Sequence, residues 1–425
     1  METKSIIEDI RKKFPALAQQ MNGQPLIYLD NAATSQKPVE VLELLDKMNA
    51  KVNANVHRAM YQLSDEATGL YEGARERVRQ FINAPDRENI IYTSGTTASI
   101  NLVATSFCQK YLMKGDVIVI TADSHHSNIV PWQLAAERIG AEIRILPIDG
   151  RGALRIDQLD KMLDDKVRIV AATHISNVLG IVNPVEKIIQ IAHSHNIPVL
   201  IDGAQGIVHA HVDVQKMDCD FYAFSAHKIY GATGVGILYG KSHYLNEMPP
   251  YMGGGDMVGT VTYQKTSYAP LPLKFEAGTP NFIGASTLKP ALDFAASVRE
   301  GEVGEAVKAS EQEIIKYMLN ALPNEVGDVE VYGLPEGKVS SQASDDTGDK
   351  IPLFSFNIKG CNAGDVAQLL DKMGVAVRTG LMCAEPLLNS LGVTSVIRAS
   401  FAPYNTLEEA EKFIECVKRA KKMLM

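Results

Sequence analysis

Between about residue 85 and residue 240 the chain alternates short runs of β-branched and aromatic residues with longer stretches of apolar residues at helical spacing. The runs at 89–93, 116–120, 142–146, 167–173, 197–201, 220–224 and 234–239 predict strands. The stretches at 97–111, 130–139, 156–164 and 184–195 predict helices between the earlier ones. Runs such as Val117-Ile118-Val119-Ile120 are apolar at consecutive positions, the pattern of a strand covered on both faces. The expected architecture is α/β, a mostly parallel seven-stranded sheet flanked by helices.

The rhythm is lost over 246–290, where Gly, Pro and Tyr accumulate, and a long ordered loop or linker is expected there. Helical spacing returns at 286–299, 304–321 and 363–372, and strand-like runs at 328–332, 351–358, 374–378 and 395–400. These predict a smaller C-terminal α/β domain, and the polar run 340–350 inside it reads as a solvated loop, with an acidic part at 344–349. The expected division is an N-terminal segment 1–25 that packs on the small domain, a large domain 26–290 and the small domain 291–425.

Composition narrows the function classes. With 425 residues and 46% hydrophobic content the chain can bury a sizeable core. The net charge is -8 and no block of Lys and Arg tracks a phosphate backbone, so nucleic acid is not an expected partner. The apolar runs fall well short of the roughly 20 residues of a membrane span, and residues 1–10 lack the apolar core of a signal peptide. Five scattered cysteines without a C-x-x-C pair argue against a metal knuckle and fit a reducing, cytoplasmic setting.

In sheets of this kind ligands bind beyond the carboxyl ends of the strands. Thr93-Ser94-Gly95-Thr96-Thr97, Ser124-His125-His126, His174-Ile175-Ser176-Asn177, Asp202-Gly203-Ala204-Gln205 and Ser225-Ala226-His227-Lys228 each follow an apolar run, so five strand ends are expected to share one site. An aldehyde cofactor such as pyridoxal phosphate needs one amine for a Schiff base and one carboxylate to keep its ring nitrogen protonated. Lys228 and Asp202 are candidates for the two, and a lysine in a crevice can have the lowered pKa this chemistry requires. Thr96 and Thr97 open a helix whose leading amides suit a phosphate, with Ser225 and His227 as further donors. His125 offers a flat ring that can stack or move a proton, and Asn177 and Gln205 can hydrogen-bond the phenolic oxygen. Singly, each is more often a cap, a turn residue or a loop histidine, and their weight comes from occurring together.

In this order the motifs resemble the pyridoxal-phosphate enzymes of aminotransferase class V, over nearly the whole chain. Asn55-Val56-His57-Arg58, Asn128-Ile129-Val130-Pro131-Trp132-Gln133, Ser176-Asn177-Val178-Leu179-Gly180, Phe275-Glu276-Ala277-Gly278-Thr279-Pro280 and Arg378-Thr379-Gly380 followed by Cys383 narrow the resemblance to the group II cysteine desulfurases, the branch that includes selenocysteine lyases. It implies pyridoxal-phosphate fold type I and a homodimer in which Thr279 reaches the neighbouring subunit's cofactor phosphate. It also implies that Arg398 binds the substrate carboxylate, with Asn177, His57 and Ala32 as further substrate contacts. L-cysteine would be converted to L-alanine, Lys228 moving the α-proton and His125 assisting. The sulfur would pass to Cys383 as a persulfide, then to an acceptor protein for the assembly of iron–sulfur clusters or other sulfur-containing cofactors.

Cys383, in a Gly-containing segment before Ala384-Glu385-Pro386, is expected at an exposed loop tip, whereas Cys108, Cys219, Cys361 and Cys416 match no catalytic position. Leu381-Met382 stand where relatives often carry histidine, and Ser94 and Ala98 where some carry Arg and Glu, which bears on the thiolate and its sulfur acceptor. Three readings compete with the desulfurase. A selenocysteine lyase acting on L-selenocysteine shares the motifs, another class V aminotransferase or lyase needs no thiol, and a silent scaffold needs none of Lys228, Asp202, Gln205, Arg398 and Cys383.

Overall fold

The computed structural model describes residues 3–57, 60–333 and 350–425, so Arg58 and the acidic run 344–349 lie outside the described residues. The seven expected strands form one sheet: β1 (Ile90–Thr93), β2 (Val117–Thr121), β3 (Glu142–Leu146), β4 (Val167–Thr173), β5 (Val199–Asp202), β6 (Phe221–Ser225) and β7 (Gly236–Gly240). Their spatial order is β1-β7-β6-β5-β4-β2-β3. β7 runs antiparallel to both neighbours and the other pairs are parallel, which brings the carboxyl ends of the remaining six strands to one edge.

Alternate residues of the strands feed two apolar layers, as the pleat requires. Val119, Val170, Ile201 and Phe224 face one layer and Ile120, Ala171, Leu200 and Ala223 the other. β3 closes one side of the sheet, and its charged Glu142 and Arg144 suit a strand with an open edge.

A second sheet, antiparallel throughout, contains β8 (Val329–Tyr332), β9 (Leu353–Ile358), β10 (Arg378–Gly380) and β11 (Val396–Ser400) in the order β8-β9-β11-β10. Apolar residues of the helices Gly301–Ala321, Ala363–Lys372 and Leu407–Leu424 complete its core. The run expected as one strand at 374–378 divides, because Val375–Ala376 pairs with Ile27–Tyr28 while Arg378–Gly380 pairs with β11. The loop region 246–290 contains an exposed hairpin, Val258–Val261 with Thr266–Tyr268, whose lack of a buried face removed the periodic signal. The helix Thr3–Lys12 packs on Gly301–Ala321, and Arg11 Nη2 lies 2.9 Å from Glu409 Oε1. Leu288–Ser297 spans residue 290 and packs on the helix Gln62–Phe81. That helix gives little apolar signal, since its buried positions include Ser64 and Arg75.

Arg75 ties this helix to the sheet and to the 275–280 loop. Its Nη1 and Nη2 lie 2.7 and 3.0 Å from the two Glu276 oxygens and its Nε 3.0 Å from Glu72 Oε2, with the guanidinium 4.3 Å from the Tyr92 ring centre. Glu276 also accepts the Tyr92 N–H at 2.7 Å. Breaking a buried ion pair from one side leaves an uncompensated charge, so Glu276→Gln is expected to cost about 3 kcal/mol, the low end of the range because Glu72 remains. An unchanged denaturant midpoint would show that the network does not contribute to stability.

Candidate active site

A cavity of about 220 Å³ lies at the carboxyl ends of β1, β4, β5 and β6, with Arg378, Met382, Cys383 and Arg398 of the second unit on its wall. Its lining includes Ala32, Thr96, Thr97, His125, Asn177, Asp202, Gln205, Ser225, His227, Lys228, Cys383 and Arg398. Two expected site residues lie elsewhere in this chain. His57 is held by Glu72, 3.0 Å from Nε2 to Oε1, and packs edge-on against Tyr71, so its ring is committed to the Arg75 network and does not line the cavity. Thr279 is exposed on the loop after Glu276 and also lies off the cavity wall.

The sheet order explains the convergence. β7 separates β1 from β6, yet Ser225 Oγ accepts the Thr96 N–H at 2.8 Å and sits 2.7 Å from Thr96 Oγ1. The loop after β1 reaches across because β7 begins with glycine: a Cβ on Gly236 would fall 2.3 Å from Gly95 Cα. Gly236→Ala would therefore push the hydroxyl pair apart.

Lys228 ends the short 3-10 turn Ala226–Lys228 after β6. Burial pushes its pKa down to about 8, with Asp202 pulling the other way. Burial raises the Asp202 carboxyl, opposed by the Ala204 N–H, 3.0 Å from Oδ1, and by Lys228. Burial and then the Lys228 cation push His125 down to about 3, so its imidazole is neutral, with Nδ1 accepting the Ser127 N–H at 3.0 Å. His227 is pushed down to about 4, chiefly by burial.

Arg398 is buried on β11 and donates from Nη1 to the Asn177 carbonyl at 2.9 Å and from Nη2 to Asp30 Oδ1 at 3.2 Å. Its Nε and the Asn177 Oδ1 are buried without a hydrogen-bond partner among the described residues. Buried polar atoms are rarely left unpaired, and two on one cavity wall mark a place for a polar ligand. The cavity wall also carries hydroxyl and amide donors, an amine and a buried carboxylate whose raised pKa a cationic ring nitrogen would relieve. That donor set fits pyridoxal phosphate. Gln205 gives one Nε2 hydrogen to the Ala32 carbonyl at 2.8 Å and keeps a second.

Cys383 is exposed, whereas Cys108, Cys219 and Cys416 are buried and Cys361 is half-buried. Met382 is buried against Val178, Leu387 and Leu388 and anchors the loop, while Leu381 is exposed. Sequence reasoning did not select Asp30, Ser127, Thr173 or Arg378. Arg378 stood inside a quoted motif and was within reach, but Asp30 acquires its part through Arg398, 368 residues away.

Comparison with known proteins agrees with this geometry. A sequence model of the family described as Aminotransferase class-V matches residues 27–413. The probable cysteine desulfurase of Halalkalibacterium halodurans is 44% identical over 413 residues, 97% of each chain. The cysteine desulfurase CsdA of Escherichia coli, solved in its S-sulfonic acid form, is similar at a TM-score of 0.86 and 37% identity over 99% of both chains. The apo cysteine desulfurase of Thermococcus onnurineus NA1 is similar at a TM-score of 0.88 and 34% identity over 98% of both. The chain belongs to the aminotransferase class-V family, on the branch of the cysteine desulfurases.

Proposed function

We propose that the protein is a pyridoxal-phosphate-dependent cysteine desulfurase that converts L-cysteine to L-alanine and retains the sulfur as a persulfide on Cys383. The observation that carries this reading is an exposed Cys383 on the same cavity as Lys228 and Arg398. An aminotransferase needs the lysine and the arginine but has no use for the thiol.

Thr96, Thr97, Ser225 and His227 would hold the cofactor phosphate, Asp202 the ring nitrogen, Asn177 and Gln205 the phenolic oxygen, and His125 one face of the ring. When bound, the cofactor supplies an electron sink that acidifies the substrate's α-carbon and lets its sulfur leave. Arg398 presents its unpaired Nε to the substrate carboxylate, a charge-assisted contact that fixes orientation. With a pKa of about 8, the Lys228 amine is neutral in roughly a tenth of molecules at pH 7 and can take the α-proton. Cys383 Sγ, as thiolate, forms a bond to the substrate sulfur while that sulfur's bond to carbon breaks. The bonding pair stays on carbon, which is protonated to the alanine methyl group, so cysteine plus thiol gives alanine plus persulfide without an external oxidant.

The exposure of Cys383 supports onward transfer to a sulfur-acceptor protein. Met60, Tyr263 and Tyr268 expose large apolar side chains, which supports a homodimer in which Thr279 serves the neighbouring site. Five free thiols support a reducing compartment, and no described helix is long and apolar enough to cross a membrane. In a single turnover with L-cysteine, alanine and Cys383 persulfide are expected in equal amounts, measured by amino-acid analysis and mass spectrometry. The rate should rise as pH passes through about 8, where Lys228 loses its proton. A keto acid in place of alanine, or alanine without persulfide, would reject the proposal.

A further inference from the structure

The loop that carries the thiol adopts a shape its own residues do not favour. Met382 and Cys383 are consecutive non-glycine residues with φ of 52°, in the left-handed region where a Cβ crowds the backbone. Such a conformation persists where surrounding contacts over-determine it. Here the contacts come from the large sheet's unit. Asn177 Nδ2 donates to the Met382 carbonyl at 2.9 Å, and the His126 N–H donates to the Cys383 carbonyl at 2.7 Å.

His126 engages the loop a second time. Its Nε2 accepts the Glu385 N–H at 3.1 Å. Glu385 is the first residue of the helix Glu385–Ser390, the preceding residue is Ala384, and no side chain at that position caps the helix. The leading N–H groups of a helix have no partner within it. The imidazole Nε2 therefore supplies the acceptor that alanine lacks. The ring does not line the cavity, in contrast to its neighbour His125.

We propose that His126 is a positioning residue for sulfur transfer, clamping the backbone just after Cys383 so that Sγ stays aimed into the cavity. This rests on the nucleophilic role given to Cys383 above. Sγ must meet the substrate sulfur at bonding distance, and a loop free to leave its strained shape loses that alignment.

His126→Ala, His126→Gln and His126→Asn separate the clamp from general damage when compared with the parent holoenzyme. In His126→Ala the cofactor absorbance change on adding L-cysteine should be retained, while single-turnover persulfide formation falls about tenfold or more. Hydrogen exchange of the 381–388 backbone should quicken in step. The Gln amide oxygen reaches about as far as Nε2 and should restore most of both properties, whereas the shorter Asn should not. The Gln and Asn pair keeps the test open if the Ala variant fails to fold. Persulfide formation at the parent rate in His126→Ala, or equal rates for Gln and Asn, would overturn the clamp, as would loss of the absorbance change in proportion to the rate. A parent that forms alanine without persulfide would instead overturn the role of Cys383.

Discussion

Lys228→Ala is expected to lower the rate of alanine formation from L-cysteine by about 10²- to 10⁴-fold, the range for removal of a positioned general base. The loss should be chemical, because the turn that carries the lysine is held independently of its side chain. The carbonyl of His227 accepts the Ser35 N–H, the Thr34 hydroxyl and the Ser35 hydroxyl, each at 3.1 Å. Alanine at 228 leaves those bonds in place and removes a buried amine that costs solvation. The unfolding midpoint should stay level or rise slightly, and cofactor should still co-purify through Asp202 and the Thr96 hydroxyl group. A small primary amine added to the variant should restore part of the rate. Retention of the parent rate without added amine would show that another group moves the proton.

Cys383→Ala is the second large effect. Persulfide should vanish, and alanine release from L-cysteine should fall by about 10³-fold or more, the loss of a covalent nucleophile being among the largest single-residue effects. No other thiol among the described residues lines the cavity. Cys219 and Cys416 are buried, Cys361 is half-buried against the core of the second sheet, and burial pushes the Cys108 thiol up to about 12, which denies it thiolate character. The absorbance change on adding L-cysteine should persist, since Arg398 and Lys228, which act before sulfur leaves, are untouched. L-selenocysteine gives the variant a second reading, because selenium departs more readily than sulfur. If the variant turned over L-selenocysteine at the parent rate and L-cysteine hardly at all, the thiol would be needed for sulfur alone. Parent-rate alanine release from L-cysteine would remove Cys383 from the mechanism.

These two residues were also the most legible. Lys228 and Asp202 each follow an apolar run, and a strand end marks its position along the sheet edge by local pattern alone. The same holds for Thr96, His125 and Asn177, all within a few residues of a strand end. Cys383 was placed at a loop tip by its Gly, Glu and Pro neighbours, and it is exposed. His57 shows the limit of motif reading, since its neighbours in sequence do not reveal that Glu72 holds its ring away from the cavity.

By itself the sequence determined the seven strands of the large sheet, the chemistry-bearing residues at their ends and the presence of a candidate nucleophile, because these follow from short-range periodicity and residue type. Tertiary structure alone decided how the two sheets share one cavity. The insertion of the antiparallel β7 between β1 and β6, the approach of Asp30 to Arg398 and the capping of Glu385 by His126, 259 residues away, depend on long-range packing. The strained backbone at Met382 and Cys383 belongs to the same class. No local propensity favours it, and it exists because contacts from the other half of the molecule hold it.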